Sequence, residues 1–328
     1  MRVCVFGAGA VGSHLAVRLI QSAQAEIAVV ARGPHLVAVA SRGLTLESDD
    51  GTVTVPVAVA TDRPAALPPQ DLVIVTLKGP SIPANATAIA ALLAPGGAAA
   101  FLINGIPWWW RFGQDPTPGP LPLVDPDGRI WNTVRPDRAI GGVIYSPNEI
   151  IAPGVVRHSG RNHYVLGLPQ GGGSPALSAM VDLFAGAGIG VEPSADIRRA
   201  VWLKLLLNAP GNPTAALTRL NGAVRATVPG LSDLGQRIVE EVIAVAMATG
   251  TDIRVEGAEL ADRAKKTRPG GRPSMLQDVE AGRPMEVESL LGQVQVFARE
   301  TGVATPVIDV LVPLLRGLDR AVSGGAPA

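Results

Sequence analysis

Apolar positions in the first third of the chain fall in short unbroken runs: residues 2–6 (RVCVF), 26–31 (EIAVVA), 71–76 (DLVIVT) and 98–103 (AAAFLI). Runs without polar alternation are what strands covered on both faces of a parallel sheet require. Between the first two, Val11, Leu15, Ala16, Val17 and Leu19 make one apolar face of a helix over 11–22. The pattern predicts a doubly wound α/β domain. Further strands are expected at 53–59 (VTVPVAV), 141–145 (GGVIY) and 163–167 (HYVLG), and 106–138 reads as a Pro-, Gly- and Trp-rich insertion. A break at Pro169-Gln170-Gly171-Gly172-Gly173-Ser174-Pro175 reads as a linker. Beyond it the period becomes helical. Leu177, Met180, Val181 and Phe184 form one face; Leu231, Leu234, Ile238, Val242 and Val245, closed by Gly250, form another; Val294, Phe297, Ile308, Leu311, Leu314 and Leu315 suggest two more. Residues 1–172 are therefore assigned to the α/β domain and 173–328 to a mostly α-helical second domain.

With 328 residues the chain can build two cores. Apolar residues are 47% of it and charged ones 17%, a globular composition. Lys plus Arg and Asp plus Glu number 28 each, so no chain-wide basic field exists to hold nucleic acid. The one cysteine, Cys4, lies in an apolar strand and reads as a small buried side chain. The N-terminus runs straight into glycines without the apolar stretch of a signal peptide, which predicts a cytoplasmic protein. The uncharged stretch from Gly79 to Trp110 is cut by Pro80, Pro83 and Pro95-Gly96-Gly97 into pieces too short to span a bilayer. It reads as helix, turn and strand, with no membrane partner.

Gly7-Ala8-Gly9-Ala10-Val11-Gly12 fits G-x-G-x-x-G, directly after the first strand and opening the first helix. Gly7 permits the turn, Gly9 lets backbone N–H groups approach a pyrophosphate, and Gly12 allows helix and strand to close up. This context points to a Rossmann-type dinucleotide site. The second strand ends Val29-Val30-Ala31-Arg32, with a guanidinium where NAD(H) sites place an acid. Arg32 can pair with a 2′-phosphate through two parallel hydrogen bonds, which favours NADPH; the alternative is a solvated surface charge. Lys78, after the strand at 71–76, stands at the carboxyl edge of the sheet, either as a ligand contact or as a solvated lysine.

Residues 200–209 (AVWLKLLLNA) form a helix apolar nearly all round, interrupted by Lys204 and Asn208 on one face. Asn212 extends that face, although Pro210 and Pro213 are expected to kink or end the helix. Lys204 either snorkels to solvent or is a desolvated ammonium suited to protonating a developing alkoxide. Ser274 and Gln277 have capping-box spacing, and Ser274 at a helix start also suits a substrate carboxylate. Asp278 and Glu286 either orient an amine or face water.

Taken together, the glycine loop, Thr76-Leu77-Lys78, Asn104-Gly105, the run Lys204, Asn208, Asn212-Pro213, Ala216-Leu217-Thr218, the segment Ser274-Met275-Leu276-Gln277-Asp278, and Gly282-Arg283 with Glu286 resemble the ketopantoate reductase family. The resemblance covers most of the chain. It implies NADPH-dependent reduction of a 2-oxo acid, with 2-dehydropantoate the first candidate. It also implies Lys204 as proton donor, with Asn208, Asn212, Ser274 and Asn221 holding the substrate. Asn104 would sit at the nicotinamide side, and Glu286 would contact the cofactor ribose or orient the site. Two features depart from the family pattern: Trp108-Trp109-Trp110 follow Asn104-Gly105, and Leu291-Gly292 stands where the family often has Asn-Gly. The tryptophans read either as core or subunit packing, or as bulk lining a pocket for a larger 2-oxo acid. Competing readings are another Rossmann dehydrogenase, of 3-hydroxy acid or opine type, and a dinucleotide sensor without catalysis. A homodimer through the helical domain is compatible with the sequence.

Overall fold

The computed structural model describes residues 1–114, 118–259 and 271–324. The chain forms two compact units: Met1–Ile103 with Trp108–Ile197, and Asn104–Pro107 with Arg198–Ala328.

Among the described residues, twelve strands belong to the first unit: β1 (Arg2–Phe6), β2 (Glu26–Val30), β3 (Leu44–Ser48), β4 (Gly51–Val55), β5 (Val59–Thr61), β6 (Gln70–Val75), β7 (Leu93–Leu102), β8 (Ala139–Tyr145), β9 (Asn148–Ala152), β10 (Val155–His158), β11 (His163–Gly167) and β12 (Gly190–Pro193). Eight make one sheet in the order β12-β11-β8-β7-β6-β1-β2-β5, parallel throughout except for the β8–β11 pair. β1 is flanked by β2 and β6, with Phe6 opposite both Val30 and Val75, so the carboxyl ends of these strands share one edge. The continuous apolar runs are explained by this burial: Val3, Val5, Val29, Val73 and Ile74 are inaccessible to solvent.

Four strands form a second sheet, β4-β3-β10-β9, which packs on the first helix, Ala10–Ser22. The expected strand at 53–59 is therefore two strands in different sheets. Pro56 has no N–H to continue a ladder, and the chain leaves the second sheet at Val55 and enters the large sheet at Val59.

The boundary between the units also lies later than the glycine-rich stretch suggests. Ser174 caps the helix Pro175–Gly186 by accepting from Leu177 N at 3.1 Å. Its apolar face, Leu177, Met180, Leu183 and Phe184, is buried in the first unit's core, where Phe184 meets Tyr164 edge to face. β12 then pairs with β11. The segment 169–175 is a turn inside one unit, because the helix after it buries its face on the sheet.

Trp108, Trp109 and Trp110 are buried: Trp108 lies edge-on to Phe101, Trp109 is stacked on Trp110, and Gly141 leaves room for the Trp109 ring, which a Cβ there would meet at 2.4 Å. They are core packing of the first unit, and the argument from apolar bulk to a larger substrate loses its basis. The helices of the second unit include Ile197–Thr218, Gly222–Arg225, Leu231–Ala248, Ser274–Glu280, Gln293–Thr301 and Pro306–Val322. The last of these is anchored by the buried Glu241, which accepts from Val307 N and Ile308 N at 2.8 and 2.9 Å. Among the described residues, no helix is long and apolar enough to cross a membrane.

Three of the four histidines gather where the second sheet covers the first helix. His14 is inaccessible and stacks on His158 at 4.5 Å; His35 accepts from Gly154 N at 3.1 Å and lies 3.2 Å from Ser13 Oγ. Burial first, then repulsion from His158 and Arg18, pushes the His14 pKa from 6.5 down to about 3. Below its unfolded pKa the unfolded chain takes up a proton that the folded one refuses, so stability falls as pH drops from about 6.5 toward 3, by about 1.4 kcal/mol per unit. Thermal unfolding scans from about pH 7.5 to 5 should show this loss, and His14→Phe, which keeps a ring in the stack, should flatten it by on the order of 2 kcal/mol at pH 5. An unchanged slope in the variant would assign the loss to other groups.

Candidate active site

In the first unit the glycine loop joins β1 to the first helix. The backbone turns at Gly7, whose φ of +110° few side chains tolerate, and the Gly7 and Ala8 N–H groups donate to Val30 O at 3.1 and 3.0 Å. Gly9 stands at the N-cap of Ala10–Ser22, which has no acid in its first turn and no side-chain cap, so its N–H groups are open to an anion. A Cβ at Gly9 would meet nothing within 4 Å, whereas one at Gly12 would come within 2.1 Å of Gly7 O and 2.5 Å of Thr76 Oγ1. Thr76 Oγ1 donates to Gly7 O at 2.5 Å and locks the turn. Ala10 and Val11 complete the first helical turn, where Val11 packs on the core.

Beside the loop lies a cavity of about 250 Å³, lined by Gly7, Ala8, Gly9, Arg32, His35 and Asp62 among others. Arg32 is exposed at its wall; Lys78 is half-buried and opens the turn Gly79–Ser81, one residue past the wall residue Leu77. Open backbone at Gly9, an unfilled helix start and a guanidinium fit the phosphate-rich end of a nicotinamide dinucleotide. His35, Asp62 and Asn85 at this cavity were not singled out from the sequence. A carboxyl end falling after a three-residue strand gives no periodic signal.

In the second unit the helix Ile197–Thr218 runs on through Pro210 and Pro213, so the prolines do not end it. The prolines withhold N–H donors from Leu206 O and Ala209 O, and around them side chains bond other carbonyls of the helix: Asn212 Nδ2 reaches Asn208 O at 3.3 Å, Thr214 Oγ1 reaches Pro210 O at 2.6 Å, and Arg225 bonds Gly211 O. Continuity keeps Lys204, Asn208 and Asn212 on one face, with Lys204 and Asn208 half-buried and Asn212 buried.

A chain of amides follows. Asn208 Nδ2 donates to Asn104 Oδ1 at 3.4 Å, and Asn104 Nδ2 donates to Glu286 Oε2 at 3.4 Å. Asn212 Oδ1 accepts from Ser274 Oγ at 3.1 Å and from Met275 N at 3.0 Å. Ser274 is thus no helix cap; its hydroxyl is turned to Asn212, and Pro273 stands at the cap position. The Asn104 loop is pinned by Ile106 N donating to Ser289 O at 2.7 Å, and at Gly105 (φ +80°) a Cβ would lie 2.3 Å from that oxygen. Ser289 belongs to a π-helical turn, Glu288–Gly292, held by Arg316 donating to Glu288 at 2.7 and 2.6 Å.

Asn104, Asn208, Asn212, Ser274 and Glu286 are therefore brought together, with Lys204 one helical turn before Asn208. Asn221 is engaged elsewhere: its Oδ1 accepts from Val224 N at 3.0 Å and caps Gly222–Arg225. Asp278 is buried and receives Arg283 Nε at 3.2 Å, so it does not face water. Leu291 is buried and offers no polar group where the family often has asparagine.

Two family profiles match the chain: "Ketopantoate reductase PanE/ApbA" over residues 3–171 and "Ketopantoate reductase PanE/ApbA C terminal" over residues 196–319. The 2-dehydropantoate 2-reductase of Mesorhizobium japonicum is 35% identical over 97% of this chain and 98% of its own. That of Halobacterium salinarum is 31% identical over 98% and 99%. Among solved structures, a PanE/ApbA family ketopantoate reductase from Ralstonia eutropha JMP134 superposes with a TM-score of 0.83 at 28% identity, covering 98% of this chain and 99% of that one. A D-mandelate dehydrogenase in complex with NADH and anilino(oxo)acetate superposes equally well, at 0.83 over 98% and 99%, but at 21% identity it shares the fold alone.

Gly12→Ala should force the turn open against Gly7 O, lowering stability by about 1–3 kcal/mol and weakening dinucleotide binding, as chemical denaturation and titration will measure. Asn212→Ala strips Ser274 and Met275 of their acceptor and should cost on the order of 2 kcal/mol in denaturation.

Proposed function

The chain belongs to the ketopantoate reductase family, oxidoreductases that use a nicotinamide dinucleotide, and we propose that it reduces a 2-oxo acid with NADPH, 2-dehydropantoate being the first candidate, with Lys204 as proton donor. The observation that carries this reading is the helix Ile197–Thr218: it holds a half-buried Lys204 one turn from Asn208, which is tied to Asn104 and Glu286, and two turns from Asn212, which is tied to Ser274.

Arg32 and the glycine loop would hold the dinucleotide, with Lys78 as a second cation for its phosphates. When bound, the reduced nicotinamide supplies the hydride that turns the C2 ketone into an alcohol. The protein's part is the proton. An ammonium at Lys204 donates to the ketone oxygen as charge develops there, and regains its proton from solvent after turnover. Asn208, Asn212 and Ser274 offer amide and hydroxyl groups to the substrate's carboxylate and hydroxyl. The long 3.4 Å bonds within the chain leave Asn104 and Asn208 able to exchange a neighbour for a ligand at small cost. Glu286 orients Asn104 by accepting from its amide. Asn221 Oδ1 is taken up by the cap of Gly222–Arg225, which leaves its Nδ2 as the group that could meet substrate. Homodimerisation through the helical unit accords with this reading, since Val310 and Leu314 stand exposed one turn apart on Pro306–Val322.

A panel of 2-oxo acids with both dinucleotides tests the substrate class by NADPH oxidation. Lys204→Ala should bind NADPH normally and lose about 10²- to 10⁴-fold in kcat. Full turnover in that variant would remove Lys204 as the acid, and no turnover of any 2-oxo acid by the native protein would favour the non-catalytic dinucleotide sensor. Arg32→Ala should weaken NADPH by about 10- to 100-fold and NADH little, since charge-assisted bonds to the 2′-phosphate are what it removes. Equal losses for the two would contradict the phosphate-reading role.

A further inference from the structure

β2 and β5 are parallel neighbours with Val30 opposite Thr61, and Ala31 N donates to Thr61 O at 3.0 Å. Arg32 and Asp62 therefore stand just past the carboxyl ends of adjacent strands, at the edge where open parallel sheets bind their ligands. Both line the cavity that also contains Gly7, Gly9, His35 and Asn85. The acid that ordinarily follows the second strand is absent from this chain, but a carboxylate enters the same cavity from the strand next door.

The geometry points to Asp62 as a second determinant of dinucleotide choice, opposed to Arg32. This rests on the reading that the cavity takes the adenosine end of the dinucleotide. A carboxylate accepts hydrogen bonds and donates none at neutral pH. It holds the 2′- and 3′-hydroxyls of NADH, which are donors, and it repels the dianionic 2′-phosphate that Arg32 attracts. The two side chains set the NADPH-to-NADH ratio between them: Arg32 raises it, and Asp62 holds it below what the guanidinium alone would give. Asp62 is exposed, as is Arg32, so the repulsion is partly screened and should shrink with added salt.

The test is a fluorescence titration of the intact protein with NADPH, NADH, adenosine 2′-monophosphate and adenosine 5′-monophosphate, at low and at about 0.5 M salt. Asp62→Asn keeps the shape and removes the charge, and Asp62→Ser is a second variant should the first fail to fold. The expected result is NADPH and the 2′-monophosphate binding about 3- to 10-fold tighter, NADH binding weaker by a similar factor, and the first gain shrinking in high salt. A ratio that moves by less than about twofold in a folded variant overturns the proposal. Arg32→Ala is run alongside. If it changes the ratio and the Asp62 variants do not, only the role of Asp62 fails; if neither changes it, the assignment of the cavity fails with it.

Discussion

A missing methyl group fixes the first unit's ligand edge. With a Cβ at Gly12, neither Gly7 O nor Thr76 Oγ1 could stay where it is, and the 2.5 Å bond between those two oxygens is what ties the glycine turn to the end of β6. Gly7, Arg32, Asp62 and Lys78 follow β1, β2, β5 and β6, four parallel strands whose carboxyl ends share an edge. Move the first helix outward by the width of a side chain and its open N–H groups no longer face the same space as the guanidinium. Dinucleotide binding thus depends on a packing contact in the core as much as on the groups that meet the phosphates.

In the second unit the corresponding constraint is a continuous helix. Two prolines interrupt the N–H ladder, yet the helix continues, and side chains of Asn212, Thr214 and Arg225 bond the carbonyls of Asn208, Pro210 and Gly211 along it. The same Asn212 that steadies the helix through Asn208 O also accepts from Ser274 and Met275. One amide therefore holds two helices in place, and its loss would reach beyond any contact with substrate. Glu286 plays the matching part for Asn104, whose loop is held against the π-helical turn by Ser289 O.

What the sequence makes legible is whatever has a period or a local mechanism. The buried strands, the first helix and the glycine loop fall in that class, because unbroken apolar runs and G-x-G-x-x-G each have a single structural meaning in context. The family motifs likewise mark the residues that the second unit joins by hydrogen bonds. Pro56 misleads in the other direction: 53–59 looks like one β-branched run, and only the competition between two sheets divides it. The glycines after Pro169 resemble a linker, but the helix that follows has an apolar face, and where that face is buried is a tertiary matter. The expected stop at Pro210 and Pro213 does not occur: the helix continues through both prolines in the folded chain, which local propensity does not encode. The role of Trp108–Trp110 turned on burial, which composition does not give.

The central claim is that an ammonium at Lys204 delivers the proton to the reduced ketone. It is tested most directly by the pH profile of kcat/KM for 2-oxo acid reduction in the native protein and in Lys204→Arg, whose guanidinium stays charged across the accessible range. The account predicts an alkaline limb, with activity falling as the lysine loses its proton, and the disappearance of that limb in the variant. The same alkaline limb in both proteins would assign the titrating acid to another group and contradict the account.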